Sequence, residues 1–189
     1  IGAAQSTDAI DCAYRLAEAE GKRGDLDASE ALYTETIAAA RAAFGDQHLL
    51  VAMGLNGLSG IMSDRGKYDD AERFSRESLA IVRAVPDAKP DDVADTLNDL
   101  ALVLDKQARD AEAQAMLTEA LALYRAALGP RSRSVAVASS NLASTYVQSG
   151  DFAKATALYE DALSILREIG GEKHPDVAKI GRASCRERV

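Results

Sequence analysis

The sequence predicts an all-α fold built from stacked antiparallel helix pairs. Its 189 residues repeat with a period of 42, seen most plainly at Val51, Val93, Val135 and Val177. Within each period, two stretches have apolar residues at helical spacing, with a short break between them. Each pair is apolar on more than one face, so one pair needs neighbours to bury its core. We therefore predict a solenoid of four pairs.

Eight helices follow from this spacing. The breaks inside the pairs contain Gly24, Gly66 and Gly150, which suits a helix that ends in a left-handed residue. The third break has Ala108, so we expect that turn to close differently, with slight strain or a less tight corner. A ninth helix begins within residues 174–179. The eight predicted helices cover residues 9–22, 26–43, 48–65, 68–85, 90–107, 110–128, 132–149 and 152–169.

Small residues follow the same period and predict where the helices of a pair meet. Small side chains allow two backbones to approach closely, and a larger side chain at such a position would overpack the contact. The two series are Ala17, Ser59, Ala101 and Ala143, and Ser29, Ala71, Ala113 and Ala155.

Composition excludes several classes of function. Lys and Arg number 22 against 30 Asp and Glu, a formal charge of -8, which disfavours binding to nucleic acids and anionic membranes. No apolar run approaches the roughly 20 residues of a membrane span. Cys12 and Cys185 match no metal or redox spacing, which favours a reducing, cytoplasmic compartment, and Cys12 is predicted to be a small core residue.

Both ends of the chain differ from the repeats. Residues 1–8 are predicted to be a disordered end, and the absence of an initial Met suggests a fragment. Residues 180–189 read IGRASCRERV, which resembles an in-frame translation of a sequencing adapter. We interpret this segment as non-native, the alternative being a basic tail, and in neither case do we expect it to carry function.

The strings LNGLSGIMSDRGKYDDAERFSRESLAIVR, LNDLALVLDKQARDAEAQAMLTEALALYR and SNLASTYVQSGDFAKATALYEDALSILREIGGEKHPDVA resemble tetratricopeptide repeats. The resemblance covers residues 10–179 and is to the 42-residue variety found in kinesin light chains and many bacterial proteins. It implies a right-handed superhelix, with the first helix of each pair lining a concave groove and the second forming the convex back. The four repeats would be residues 9–50, 51–92, 93–134 and 135–179, the last including the start of the ninth helix.

No constellation in the sequence predicts catalysis. The two histidines, His48 and His174, occupy equivalent connecting segments, where a helix-entry role is favoured over a ligand role. Acid pairs such as Asp69 and Asp70 fall at helix starts, where they favour the positive end of the helix dipole. No phosphate-binding glycine motif is present. We therefore expect no catalytic residue, metal or cofactor.

The resemblance implies which residues of the first helices face the groove. Asn56 and Asn98 are the strongest candidates for pairing with a peptide backbone, since an Asn amide both donates and accepts. The alternative is that these Asn residues bond within or between their own helices and stabilise the stack. The acidic side chains suggest a neutral or basic ligand. The groove positions are Asp11, Tyr14, Arg15, Glu18, Met53, Asn56, Gly57, Gly60, Asp95, Asn98, Asp99, Leu102, Val137, Ser140, Asn141 and Ser144.

The function predicted from these observations is a non-catalytic scaffold that binds a protein or peptide segment in the groove. A second hypothesis is a sensory or regulatory array of a larger bacterial enzyme or signalling protein, such as a protein kinase, a caspase-like protease or a transcriptional regulator. The abundance of Ala and the excess of Arg over Lys are typical of bacterial proteins. A third possibility is end-to-end self-association.

Overall fold

In the part of the chain that the structure describes there are eight α-helices, and the chain divides into two compact units, Ile1–Ala88 and Lys89–Val189, called unit 1 and unit 2 below. The structure is a computed structural model. It describes the backbone of residues 2–171, with side chains from residue 7, and in addition Val177 and Ile180. The odd-numbered helices are called first helices and the even-numbered ones second helices.

Unit 1 contains α1 (Gly2–Arg23), α2 (Leu26–Phe44), α3 (Leu49–Asp64) and α4 (Tyr68–Ala84). Each helix packs against the next, and α1 also contacts α3. Short turns join α1 to α2 and α3 to α4, so the two helices of each pair are antiparallel. The core is formed by apolar side chains that the helical period places on facing sides, including Ile37, Val51, Leu55 and Leu79.

Unit 2 repeats this arrangement with α5 (Pro90–Lys106), α6 (Asp110–Leu128), α7 (Arg133–Gln148) and α8 (Phe152–Gly170). Consecutive helices pack together, and the two first helices α5 and α7 also touch. Leu97, Leu100, Leu117 and Ile165 are almost completely buried in its core.

Seven of the eight helices match the predicted boundaries to within one residue. The exception is α1, which begins at Gly2 and therefore includes most of the segment predicted to be disordered. The segment GAAQSTDA contains three Ala and a Gln, which are good helix formers, and has no Pro that would end the helix.

The prediction for the Ala108 turn is wrong in one respect. Ala108 adopts a φ of 58°, in the same left-handed region as Gly24, Gly66 and Gly150. The amide of the following residue, Arg109, donates to the carbonyl of Leu104 at 3.0 Å, as the amide of Lys67 does to Met62 at 2.9 Å. The third turn thus closes like the others and differs by the strain of a Cβ in this conformation.

The small residues are buried in all four pairs, and a direct contact between the paired positions is observed in the first two. Both series are buried, with Ser29, Ala71 and Ala113 fully inaccessible to solvent. Ser29 Oγ donates to the carbonyl of Ala17 at 2.7 Å, and Ser59 Oγ donates to the carbonyl of Ala71 at 2.9 Å. A small side chain at these positions lets one helix reach the backbone of its partner.

Cys12 is exposed, so its assignment to the core is wrong. The buried side of α1 is formed by Ile10, Tyr14 and Ala17, which are three or four residues apart. Cys12 lies two residues from Ile10 and from Tyr14, and two residues correspond to about 200° around a helix, so Cys12 points away from the unit.

The C-terminal predictions fall mainly outside the described residues. These include Cys185, His174 and all of the proposed non-native segment except Ile180. Val177 and Ile180, the two residues described there, are helical and buried. Ile180 belongs to the segment interpreted as non-native and is nevertheless buried, because an apolar Ile gains from burial whatever its origin.

Candidate functional site

The clearest candidate site is a stripe of side chains along α5 in unit 2. Asp95, Asn98, Asp99 and Leu102 are separated by three, one and three residues, so they share one side of the helix. Asp95 is exposed and Leu102 is 41% exposed, while Asn98 and Asp99 are half-buried between them. The stripe therefore offers carboxylates at one end and an apolar side chain at the other.

Asn98 and Asn141 form a hydrogen bond between the two first helices of unit 2. Asn141 Nδ2 donates to Asn98 Oδ1 at 2.9 Å. Asn98 in turn hydrogen-bonds to the Asp99 carboxylate. The interhelical alternative is thus the one observed for this pair, and the two residues position the α5 stripe relative to α7.

Tyr124 of α6 is a polar contributor that the sequence reasoning missed. Its hydroxyl donates to Asp95 Oδ1. Burial raises the pKa of Tyr124 above its usual value, and the hydrogen bond to Asp95 raises it further. Burial also raises the pKa of Asp95, while the bond from Tyr124 opposes that shift. A groove search restricted to first helices could not find a second-helix tyrosine.

Asp99 is the most strongly perturbed carboxyl group of the stripe. Burial raises the pKa of Asp99 to about 6, the neighbouring charge of Asp95 adds to the shift, and the hydrogen bond with Asn98 opposes it. Protonation of Asp99 consequently occurs near neutral pH, because desolvation disfavours the charged carboxylate.

One turn beyond the stripe, α5 borders α7. Asp105 accepts a hydrogen bond from Gln148 Nε2 at 2.7 Å, and Ser144 of α7 is half-buried. Within the described ranges, no three His, Cys, Asp or Glu side chains are arranged to hold a metal ion. What these groups can do is accept hydrogen bonds, attract a cationic group and contact an apolar one.

In unit 1 the predicted groove residues lie differently. Tyr14 is only 5% exposed, and its ring stacks on that of Tyr33 at a centroid distance of 6.0 Å. A Cβ on Gly54 would overlap the Tyr14 hydroxyl, and one on Gly57 would overlap the Tyr33 ring. Tyr14 is therefore a core residue and Gly57 is covered. The absence of side chains at these two positions of α3 makes room for both rings.

The remaining unit 1 positions are separate surface features. Arg15 is exposed and pairs with Asp11 at 2.7 Å, an ion pair within one helix. Asn56 is half-buried on α3, and Met53 is exposed. Burial raises the pKa of Tyr14 to about 12, and its buried hydroxyl has no hydrogen-bond partner among the described residues.

The helix-entry role predicted for His48 is confirmed. Its Nδ1 accepts from the amide of Leu50 at 3.2 Å and its ring stacks on Phe44. Asp92 has a comparable structural role, since its carboxylate accepts from the amide of Lys89 at 2.9 Å at the start of α5.

The repeat pattern also matches a known family. The model of the tetratricopeptide repeat matches residues 9–84, 55–126, 92–168 and 134–180, which together span nearly all of the helical region. The chain belongs to the tetratricopeptide repeat family. Repeats of this family generally mediate protein–protein interactions, and proteins built from them typically act as non-catalytic scaffolds.

Solved structures of kinesin-light-chain-like repeat proteins share this fold. BtubC (BKLC) from P. vanneervenii is 23% identical and superposes with a TM-score of 0.79, covering 98% of this chain and 81% of that one. Two structures of a Podosopora anserina putative kinesin light chain with nearly identical TPR-like repeats, one of them a point variant, are 17% and 16% identical. Their TM-scores are 0.78 and 0.77, each covering 94% of this chain and 84% of theirs. A search of curated proteins gave no match.

These similarities confirm the all-α, tetratricopeptide-like fold class. None of the helices in the described part of the chain combines the length and apolar character that a membrane span requires.

Proposed function

We propose that this chain is an interaction module that holds a peptide segment of a protein partner on the first-helix face of unit 2. The observation that carries the proposal is the α5 stripe, in which exposed Asp95 and half-buried Asp99 lie next to exposed Leu102. The preferred segment has a Lys or Arg that pairs with Asp95 and an apolar residue that contacts Leu102.

The chemistry of the stripe supports a cationic group at its acidic end. Asp91 and Asp92 lie one turn before Asp95, and the charges of both raise the pKa of Asp95. Bringing a positive charge to this end of α5 would relieve repulsion among the carboxylates, whereas an acidic ligand would add to it.

The asparagines have a positioning role in this proposal. The bond to Asn98 uses one of the two amide hydrogens of Asn141, so Asn141 retains a further hydrogen and a carbonyl oxygen for a peptide backbone. Asn98 already bonds to Asn141 and Asp99. In this proposal Asn98 therefore positions its neighbours, and Asn141 is the residue that bonds to the peptide.

A peptide array tests the proposal. The full chain is screened against peptides that vary the charge and the apolar residue independently, and hits are measured by calorimetry. We expect Asp95→Asn to weaken binding of a basic peptide by roughly 1 kcal/mol, because it removes the charge while retaining an acceptor for Tyr124. Leu102→Ala should weaken binding by about 1 kcal/mol through lost apolar contact.

Matched controls lie outside the stripe. Asp87→Asn changes an exposed carboxylate of the α4–α5 connection, and Leu128→Ala changes a leucine that is 45% exposed on α6. Neither should alter affinity. Equal losses in the stripe and control variants, or a preference for acidic peptides that Asp95→Asn leaves unchanged, would contradict the proposed site.

A further inference from the structure

Unit 1 contains a trough on its second-helix side that the peptide-binding proposal does not use. Its volume is about 650 Å³, within the range of pockets that hold ligands. Its walls are α2 and α4, and its floor is α3, which contributes Leu55, Leu58 and Met62. Ile37 of α2 and Phe74 of α4 extend the apolar lining up the two walls.

The trough is elongated in the direction of the helices. Its lining on α2 runs from Glu30 to Arg41, and on the other wall from Lys67, the N-cap of α4, to Glu77. At the α-helical rise of 1.5 Å per residue, a span of eleven residues is about 16 Å. The apolar floor on α3 is shorter, since Leu55 to Met62 spans about 10 Å, or two helical turns.

The charged side chains of the rim are paired, with one exception. Arg41 of α2 forms an ion pair with Glu77 of α4, which joins the two walls. Arg73 forms an ion pair with Asp70. Glu30 forms an ion pair with Arg65 at 3.1 Å. Lys67 is exposed and makes no ion pair with any residue that the structure describes. The six charged residues of the lining, three cations and three anions, sum to zero, and Lys67, immediately before α4, is the cation that remains available to pair with a ligand carboxylate.

We propose that this trough binds an amphipathic helix of a protein partner, with apolar side chains on the floor and an Asp or Glu paired with Lys67. A helix fits better than an extended strand because an extended peptide needs backbone partners, whereas the walls are helices whose backbone groups are already bonded. A helix satisfies its own backbone and presents apolar residues three or four positions apart, so two of its turns match the length of the apolar floor.

This inference is independent of the proposed function of unit 2. It concerns a different unit, and it predicts an acidic ligand where the α5 stripe predicts a basic one. The two proposals can therefore fail separately, since Lys67 and Asp95 are tested by different substitutions and different probes.

The probes are capped model helices of about 14 residues, or four turns, with Leu, Ile, Met or Phe in one stripe and a Glu at one end of it. Binding to the full chain is measured by fluorescence anisotropy. We expect Lys67→Glu to weaken binding about fivefold or more, since an attraction becomes a repulsion. A probe with Lys in place of Glu should bind Lys67→Glu better than wild type.

A second substitution tests the apolar floor without changing charge. Ala38 is exposed on α2 and lines the trough, so Ala38→Gln should place a polar side chain over the floor and weaken binding about fivefold. Ala31→Gln, at an exposed position of α2 outside the lining, is its control. Lys106→Glu, at an exposed position of α5 in unit 2, is the control for Lys67→Glu.

Both control variants should bind the probes as wild type does, within about twofold. The proposal is overturned if none of the probes binds at concentrations up to about 1 mM, the affinity limit of a very weak contact. It is also overturned if Lys67→Glu and Ala38→Gln bind as wild type does, or if Asp95→Asn is the variant that loses the probe.

Discussion

Two buried tyrosines differ in whether their hydroxyl forms a hydrogen bond, and we expect their hydroxyls to contribute differently to stability. Tyr124 donates to Asp95 in unit 2, while the buried Tyr14 hydroxyl in unit 1 has no hydrogen-bond partner among the described residues. We predict that Tyr124→Phe lowers the free energy of unfolding by about 1–3 kcal/mol, because a hydrogen bond to a charged acceptor is lost.

Tyr14→Phe is the matched comparison. It keeps the ring that stacks on Tyr33 and removes a desolvated hydroxyl, so stability should be unchanged within about 0.5 kcal/mol or should rise. Urea denaturation of both variants measures the difference. An equal loss in the two variants would show that the Tyr14 hydroxyl has a partner, such as a buried water.

Asp99 should make stability depend on pH. Burial raises its folded-state pKa to about 6, above the unfolded value of about 3.9, so folding favours the protonated carboxyl. The contribution of protonated Asp99 to the free energy of unfolding is fully present below about pH 4 and is lost as pH rises through about 6. The shift of about two pKa units corresponds to at most about 3 kcal/mol.

The variant Asp99→Asn isolates this contribution. The stability of Asp99→Asn relative to wild type should increase between about pH 4 and pH 7, as measured by urea denaturation at each pH. Asp87→Asn, at an exposed position, is the control variant. A pH-independent difference for Asp99→Asn would show that Asp99 titrates normally.

At the scale of the helical elements, the turn between α5 and α6 is a site of local strain. Ala108 has a φ of 58° where the equivalent turns have Gly, and a Cβ costs about 1–2 kcal/mol in that region. Ala108→Gly should therefore stabilise the fold by about 0.5–1 kcal/mol after the entropy cost of Gly is subtracted. The reciprocal change, Gly66→Ala, should destabilise it by about 1 kcal/mol in thermal or urea unfolding. The strain at Ala108 requires that the two substitutions change the free energy of unfolding in opposite directions, and changes of the same sign would contradict it.

The contacts between paired helices depend on small side chains. Ala71 and Ala113 are fully buried where α4 meets α3 and where α6 meets α5. Ala71→Arg or Ala113→Arg should cost roughly 3 kcal/mol or more, since volume and charge enter a packed contact. Arg76→Ala, which removes a half-exposed ion pair with Glu72, should cost no more than about 0.5 kcal/mol. Calorimetric melting compares the three, and similar effects would contradict the assigned helix faces.

At the scale of the whole molecule, burial continues past α8. Val177 and Ile180 are 7% and 5% exposed, and the family match extends to residue 180. We predict that a chain ending at residue 179 is less stable than one ending at residue 180 by about 1–3 kcal/mol, the value of burying one Ile side chain. Thermal unfolding of the two truncated chains provides the measurement. Identical melting temperatures would show that Ile180 contributes nothing.

The sequence by itself determined the fold class, the repeat and nearly all the helix boundaries. It could do so because a 42-residue period, helical apolar spacing and glycine turns are patterns in the order of residues along the chain. They do not depend on which helices meet in space. It also placed Ala71 and Ala113 correctly at close helix contacts, since only small residues recur there.

Only the tertiary structure decided which polar groups meet. The pairing of Asn141 with Asn98 joins residues 43 positions apart, and the bond from Tyr124 to Asp95 joins residues 29 positions apart. The same holds for Tyr14, whose burial depends on α3 having Gly54 beneath it, and for the trough of unit 1. Such features arise from side chains of different helices converging in space, and a periodic pattern fixes which side of a helix a residue occupies but not which partner it meets there.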